Sequence, residues 1–187
     1  MKHPRRHSRF TYWLEMLVIR LRDRIRPPEE ILDEAGVQPD MAVLDFGCGP
    51  GGFALAAARL VGPHGSVYAL DVQTPALKRV RRIARRRGLA NIKVVHGDEC
   101  HEMDAESIDM ILLYDVLHTD PAPESTTEIL RSAHSVLKAD GVLSVSDHHL
   151  GSRELTALLT DGGLFRFAGR TRRTLRFEKA RTDRDKP

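Results

Sequence analysis

VLDFGCGPGG, residues 43–52, changes character in its middle. The first half is apolar apart from Asp45, as in a parallel strand whose two faces are both covered. The second half places four glycines, Gly47, Gly49, Gly51 and Gly52, within six residues. An alanine- and leucine-rich helical run, GGFALAAARL, follows directly. A strand, a glycine turn and a helix in that order let the backbone approach a ligand closely and point free N–H groups at it. The spacing satisfies GxGxxG through Gly47, Gly49 and Gly52, and also GxGxG through Gly47, Gly49 and Gly51. It therefore leaves a dinucleotide and another nucleotide cofactor both open. Asp71 ends the next apolar run, where either cofactor would offer ribose hydroxyls.

The same alternation continues outward from this loop. SVYALDV predicts a second strand and NIKVVHGD a third. SIDMILLYDVL contains a fourth and VLSVSDHH a fifth. Between them, TPALKRVRRIARRRG predicts a helix with Thr74 as its N-cap, Pro75 at its first position and Gly88 at its end. PESTTEILRSAHSVLKADG predicts a helix that ends in a turn, and SRELTALLTDGG a last helix. LFRFAG and RTLRFEK are joined too tightly for a parallel crossover and predict an antiparallel hairpin at the sheet edge. The expected fold class is α/β. It is a doubly wound, mostly parallel seven-stranded sheet of Rossmann-like form, with a C-terminal antiparallel edge hairpin and an N-terminal helical cap.

Upstream, Phe10, Trp13, Leu14, Leu17, Val18, Leu21 and Ile25 recur at helical spacing. Pro27 and Pro28 end that stripe, and EEILDEAG predicts a second short helix. The expected division is a helical cap over 1–36, the main domain over 37–180 and a disordered tail over 181–187.

With 41% hydrophobic residues in 187, the chain has the side chains for a real core. No apolar run approaches the ~20 residues of a membrane helix. Glu15 and Arg20 interrupt the N-terminal apolar stretch, and no small-residue cleavage site follows, so a secretory leader is not expected. Two cysteines, Cys48 and Cys100, suit a reducing compartment and a cytoplasmic location. The net charge of +3 hides an asymmetry. KRVRRIARRR, residues 78–87, has seven cations and no acid, whereas residues 88–165 hold four cations against fourteen acids. Solvated helix faces explain the basic runs most simply, with an anionic partner as the alternative.

Taken together, these segments resemble the class I S-adenosylmethionine-dependent methyltransferases over residues 40 to 180. VLDFGCGPG is similar to the family's first motif, with Asp45 two residues ahead of the glycines. VYALDV is similar to the second, which ends in a ribose-binding acid, and VVHGDEC to the third, whose acid contacts the adenine amino group. DMILLYDVLHT, LKADGVLSVSD and the closing hairpin are similar to the later motifs. The resemblance implies S-adenosylmethionine as cofactor. It implies cofactor contacts at Asp45, Gly47, Cys48, Gly49, Asp71, Val72, Asp98, Glu99 and Tyr114. Asp45 would hold the amino-acid end, Asp71 the ribose diol and Asp98 the adenine.

Methyl transfer is an in-line displacement, so the enzyme mainly aligns the acceptor and excludes water. Groups that could act on the acceptor lie after strands four and five: Tyr114, Asp115 and His118, then Asp147, His148 and His149. His118 and Tyr114 are the catalytic candidates, His118 because its pKa lies near neutrality. Asp115 and Asp147 match the acid positions of metal-dependent catechol-type methyltransferases, but histidine follows where that family usually has asparagine, and no metal is expected. The N-terminal stripe is the expected lid. Aromatic residues are only 5% and no RNA-binding module is present, which favours a small-molecule acceptor. RNA methylation, a non-catalytic cofactor-binding protein, an NAD(P)-dependent dehydrogenase and a peripheral membrane contact are the competing readings. Oligomeric state is not legible.

Overall fold

The computed structural model of the protein describes residues 27–97, 100, 103–117 and 123–180. The apolar stripe from Phe10 to Ile25, Asp98, Glu99, His118 and the tail 181–187 lie outside the described residues.

The described chain opens with α1 (Pro28–Ala35), β1 (Ala42–Phe46), α2 (Gly52–Leu60), β2 (Ser66–Asp71), α3 (Thr74–Arg86) and β3 (Ile92–His96). It continues with β4 (Ile108–Tyr114), α4 (Pro123–Val136), β5 (Leu137–Ser146), α5 (Ser152–Thr160), β6 (Phe165–Arg170) and β7 (Leu175–Lys179). The seven strands form one sheet in the order β3-β2-β1-β4-β5-β7-β6. The first five are mutually parallel, and β7 runs antiparallel to both β5 and β6. The expected edge hairpin is thus present, with β6 outermost.

The period of two along the strands divides the core. Val43, Met110, Leu112 and Tyr114 face one cluster, built with Leu32 of α1, Leu55 of α2 and Val80 of α3. Leu44, Ile111, Leu113, Leu143 and Phe177 face the other, built with Leu130 of α4 and Leu155 of α5. Because helices cover both faces, most consecutive residues of the central strands β1 and β4 are buried, and these strands read as almost unbroken apolar runs.

Three boundaries depart from expectation. Gln73, not Thr74, occupies the N-cap of α3, and no side chain caps the helix. The reason lies one turn back: the Asp71 carboxylate accepts the Gln73 N–H at 2.7 Å, which closes the turn a residue early and leaves Thr74 helical. The helix after β4 does not run on through LKADG. It stops at Val136, and Leu137 already pairs with Ile108. Register resumes at Met110 opposite Val142, so Lys138–Gly141 form an interruption facing Asp109. Asp109 holds it there, accepting from Lys138 Nζ at 2.6 Å and from Ala42 N at 2.8 Å. At its other end β5 stops at Ser146, so Asp147, His148 and His149 leave the sheet.

α1 is part of the body of the sheet domain. Gly36 ends it in the left-handed region (φ 95°), and Val37 N–H returns to Leu32 O at 3.0 Å. Leu32 and Ala35 are fully buried in the first cluster. Arg173, in the β6–β7 turn, bridges Glu34 at 3.0 Å and Glu30 at 3.1 Å. Leu32→Ala is expected to destabilise the protein by about 2–5 kcal/mol in urea unfolding, since it empties a filled site. A negligible loss would make α1 a detachable appendage.

Candidate functional site

The glycine turn after β1 is fastened to the end of β2. Gly47 N–H and Cys48 N–H both donate to Leu70 O at 2.9 Å, and Gly51 N–H donates to Cys48 O at 2.9 Å. Gly49 N–H donates to Asp71 Oδ2 at 2.8 Å. Asp71 therefore holds the loop with one oxygen and the start of α3 with the other. Asp71 as a residue is 7% exposed. Burial raises its pKa above the ordinary aspartate value, opposed by the N–H groups of Gln73 and Gly49 and by the charge of His96.

Gly47, Gly49 and Gly51 all have positive φ, at 73°, 49° and 87°. They are small for different reasons. A Cβ on Gly47 would lie 2.8 Å from Val116 Cγ2, and one on Gly51 would lie 2.6 Å from Val80 Cγ2. Those two glycines make room for the protein itself. A Cβ on Gly49 would meet nothing within 4 Å, so Gly49 alone borders open space with its backbone. Gly47 thus has a steric reason to be small within the chain itself, beside the expected ligand contact.

The other expected contacts stand around this turn. Asp45 is buried at the carboxyl end of β1, and Val72 is 54% exposed beside Asp71. Cys48 is buried, and its thiol is pushed far up in pKa by burial and then by the negative charges of Asp45 and Asp71. It is a packed thiol, not a nucleophile. Tyr114 is buried with its ring edge-on to Phe53, 4.7 Å between centroids. Its hydroxyl shares a 2.8 Å hydrogen bond with Ser144 Oγ. Burial drives the phenol pKa up, the Ser144 bond opposes this, and Asp45 adds to it. Tyr114 therefore stays neutral.

On the β4–β5 side, Asp115 takes a left-handed conformation (φ 56°) and donates its N–H to Ser146 O at 2.8 Å. Its Oδ1 accepts from His148 N at 3.0 Å and contacts His148 Nδ1 at 2.6 Å. The sequence placed both residues at strand ends but did not show them to be partners. Only the register of the parallel β4–β5 pair, which sets Tyr114 opposite Ser146, brings them together. Asp147 turns inward on its own loop, accepting the His149 N–H at 2.9 Å. Among the described residues, no three His, Cys, Asp or Glu side chains are gathered to hold a metal ion.

Residues 38–166 match a family described as a methyltransferase domain. The chain belongs to this methyltransferase family. It is similar to the demethylmenaquinone methyltransferase of Geobacillus kaustophilus, with 32% identity over 126 residues, 67% of this chain and 53% of that one. It is also similar to nocamycin O-methyltransferase of Saccharothrix syringae, with 37% identity over 68 residues, 36% of this chain and 24% of that one. The chain spans about half the length of the first of these relatives. The crystal structure of a SAM-dependent methyltransferase from Aquifex aeolicus shares the fold, with TM-score 0.69 at 23% identity over 83% of this chain and 90% of that one. The seven-stranded order and the closing hairpin described above are the methyltransferase architecture of this chain.

Within this methyltransferase domain Cys48 and Cys100 are both buried thiols outside any disulfide. Neither thiol is expected to react with a thiol reagent in the native protein at neutral pH, and both should react once it is unfolded. Rapid native labelling of Cys48 would show that the loop opens on its own.

Proposed function

We propose that the chain transfers the methyl group of S-adenosylmethionine to a small-molecule acceptor. The observation that carries this reading is the joint between Gly49 and Asp71 at the carboxyl ends of β1 and β2. An ionised carboxylate has about four acceptor positions, and two are filled here by backbone N–H groups. The remaining positions suit the two hydroxyls of a ribose. The open space at Gly49 admits a ligand against the backbone, and exposed Val72 offers an apolar surface to an adenine. The acid at Asp45 suits the charged amino-acid end of the donor. Asp98 and Glu99 complete the proposed cofactor set.

The donor supplies an activated methyl on a cationic sulfur. The chain's own residues bind it, present its methyl on the β4–β5 side and exclude water, with neutral Tyr114 as part of the wall. A small-molecule acceptor is supported by the names of the two relatives, which act on small molecules. No helix among the described residues is long and apolar enough to cross a membrane, and the two thiols outside any disulfide fit a cytoplasmic setting.

Titration calorimetry with S-adenosylhomocysteine beside NAD tests the reading, which predicts binding of the first alone. Asp71→Ala should weaken that binding by about 1.5–3 kcal/mol in a folded protein. NAD binding in its place would establish a dehydrogenase-type cofactor. Binding without turnover of any small molecule, but with methylation of RNA, would move the acceptor to RNA. Only the ionised Asp71 accepts from the diol, so affinity should fall as pH drops through its pKa. Because burial raises that pKa, the fall should begin at a higher pH than an ordinary aspartate would give. Gly49→Val should abolish binding, since it fills the open space and strains a left-handed position.

A further inference from the structure

The cofactor side of the site lies over β1 and β2, on the Asp71 side of the glycine loop. On the opposite side stands a second constellation that the cofactor reading does not use. Asp115 directly follows β4, the strand next to β1. The next residue, Val116, crowds Gly47, with its Cγ2 2.8 Å from where a Cβ would sit. Asp115 thus immediately precedes the residue that packs on the glycine loop. Its left-handed backbone is uncommon for a residue with a side chain, and such strain collects at functional sites. Here it is held by the Asp115 N–H bond to Ser146 O at 2.8 Å, which extends the β4–β5 ladder by one step.

The Asp115 carboxylate grips His148 twice through one oxygen, at the backbone N (3.0 Å) and at Nδ1 (2.6 Å). A carboxylate only accepts hydrogen bonds, so the ring proton belongs on Nδ1 and the Nε2 lone pair is left for another partner. Nε2 has no protein partner among the described residues, and the His148 side chain is 47% exposed against 22% for Asp115. A fixed imidazole with a buried-side carboxylate on one nitrogen and an open second nitrogen is the arrangement of a general base and its orienting acid.

We propose that His148 is the catalytic base for the methyl acceptor and Asp115 its positioning residue, which makes the acceptor a phenolic or enolic hydroxyl compound. The inference rests on the methyltransferase reading above. As the acceptor oxygen bonds the methyl carbon, its O–H bond breaks and His148 Nε2 takes the proton. The electron pair of the methyl–sulfur bond stays on sulfur, which becomes a neutral thioether. Asp115 balances the imidazolium that forms. A thioether acceptor brings its own lone pair, has no proton to lose and would need no such base. A phenol, with a pKa of about 10, is an acid weak enough to need the base and strong enough for histidine to serve.

Two measurements on the full chain test this. Nitrogen-15 spectra of the protein, with the His148 signals assigned by their loss in His148→Asn, should show the neutral ring protonated at Nδ1. Asp115→Asn should weaken that preference. A ring protonated at Nε2 in the native protein would overturn the pair. Turnover is then measured with S-adenosylmethionine and catechol or 1,4-dihydroxynaphthalene, beside benzylamine. The hydroxyl compounds should be methylated. His148→Asn should lower kcat by about a hundredfold or more, leaving the KM for S-adenosylmethionine and the binding of S-adenosylhomocysteine unchanged. Asp115→Asn should lower kcat by a smaller factor. Methylation of benzylamine alone, full turnover by His148→Asn, or no hydroxyl methylation by a protein that still binds S-adenosylhomocysteine would each reject the proposal. Failure to bind S-adenosylhomocysteine at all would instead remove the methyltransferase reading beneath it.

Discussion

One buried carboxylate sets the shape of the site. Asp71 ends β2 and reaches Gly49 N in the loop after β1 and Gln73 N before α3. Without it, two backbone N–H groups would lose their acceptor and two neighbouring loops would lose their common anchor. Taking a carboxylate out of water is costly, and the raised pKa of Asp71 records that cost. The two N–H bonds offset it only in part. A group kept buried and charged against such a penalty fits a ligand that supplies the remaining hydrogen bonds, as a ribose diol would.

The sheet provides what this joint needs. With helices on both faces, β1, β2 and β4 are held side by side, and their carboxyl ends emerge together. Strand order reverses between β1 and β4, the place where open α/β sheets form a crevice for ligands. Asp71 anchors the glycine loop from β2, and Val116, the residue after Asp115, packs on it from the β4 side. Gly47 and Gly51 are tight against Val116 and Val80, so the loop is packed from both sides and only Gly49 borders open space. The division of labour among the three glycines follows from what each one touches.

Much of this was legible in the residues because it is local. Apolar runs of strand length, glycines where the chain turns and an acid at a strand end all act within a few positions of themselves. The edge hairpin was legible because the short link between LFRFAG and RTLRFEK forbids a crossover. The misread boundaries have non-local causes. Thr74 loses the cap position because Asp71 closes the turn earlier, and β5 begins at Leu137 because Ile108 and Asp109 hold that segment from another strand. The Asp115–His148 pair is hidden for the same reason: 33 residues separate them in the chain, and only the β4–β5 register brings them together. His118, singled out from its neighbourhood in sequence, lies outside the described residues.

Charge gives the last connection. The chain carries a net +3, yet its cations and acids are segregated. Lys78, Arg81, Arg82, Arg85 and Arg86 stand exposed on α3, while Ala76, Leu77, Val80 and Ala84 of the same helix are buried. The acids Asp45, Asp71 and Asp115 gather at the carboxyl ends of the strands. The field of Asp45 is felt by both Cys48 and Tyr114, each held further from ionisation by it. A site that suppresses nearby anions in this way is poorly suited to generating a thiolate or phenolate nucleophile of its own. It is well suited to a ligand that arrives with positive charge, as a sulfonium and an ammonium do. On the proposed reading, the work left to the protein in such a field is to hold the donor and to receive a proton from the acceptor. The proton acceptor must then be a base that is neutral before the reaction. Of the groups at this face, the imidazole hydrogen-bonded to Asp115 is the one proposed for that role, and its carboxylate partner would stabilise the cation that forms.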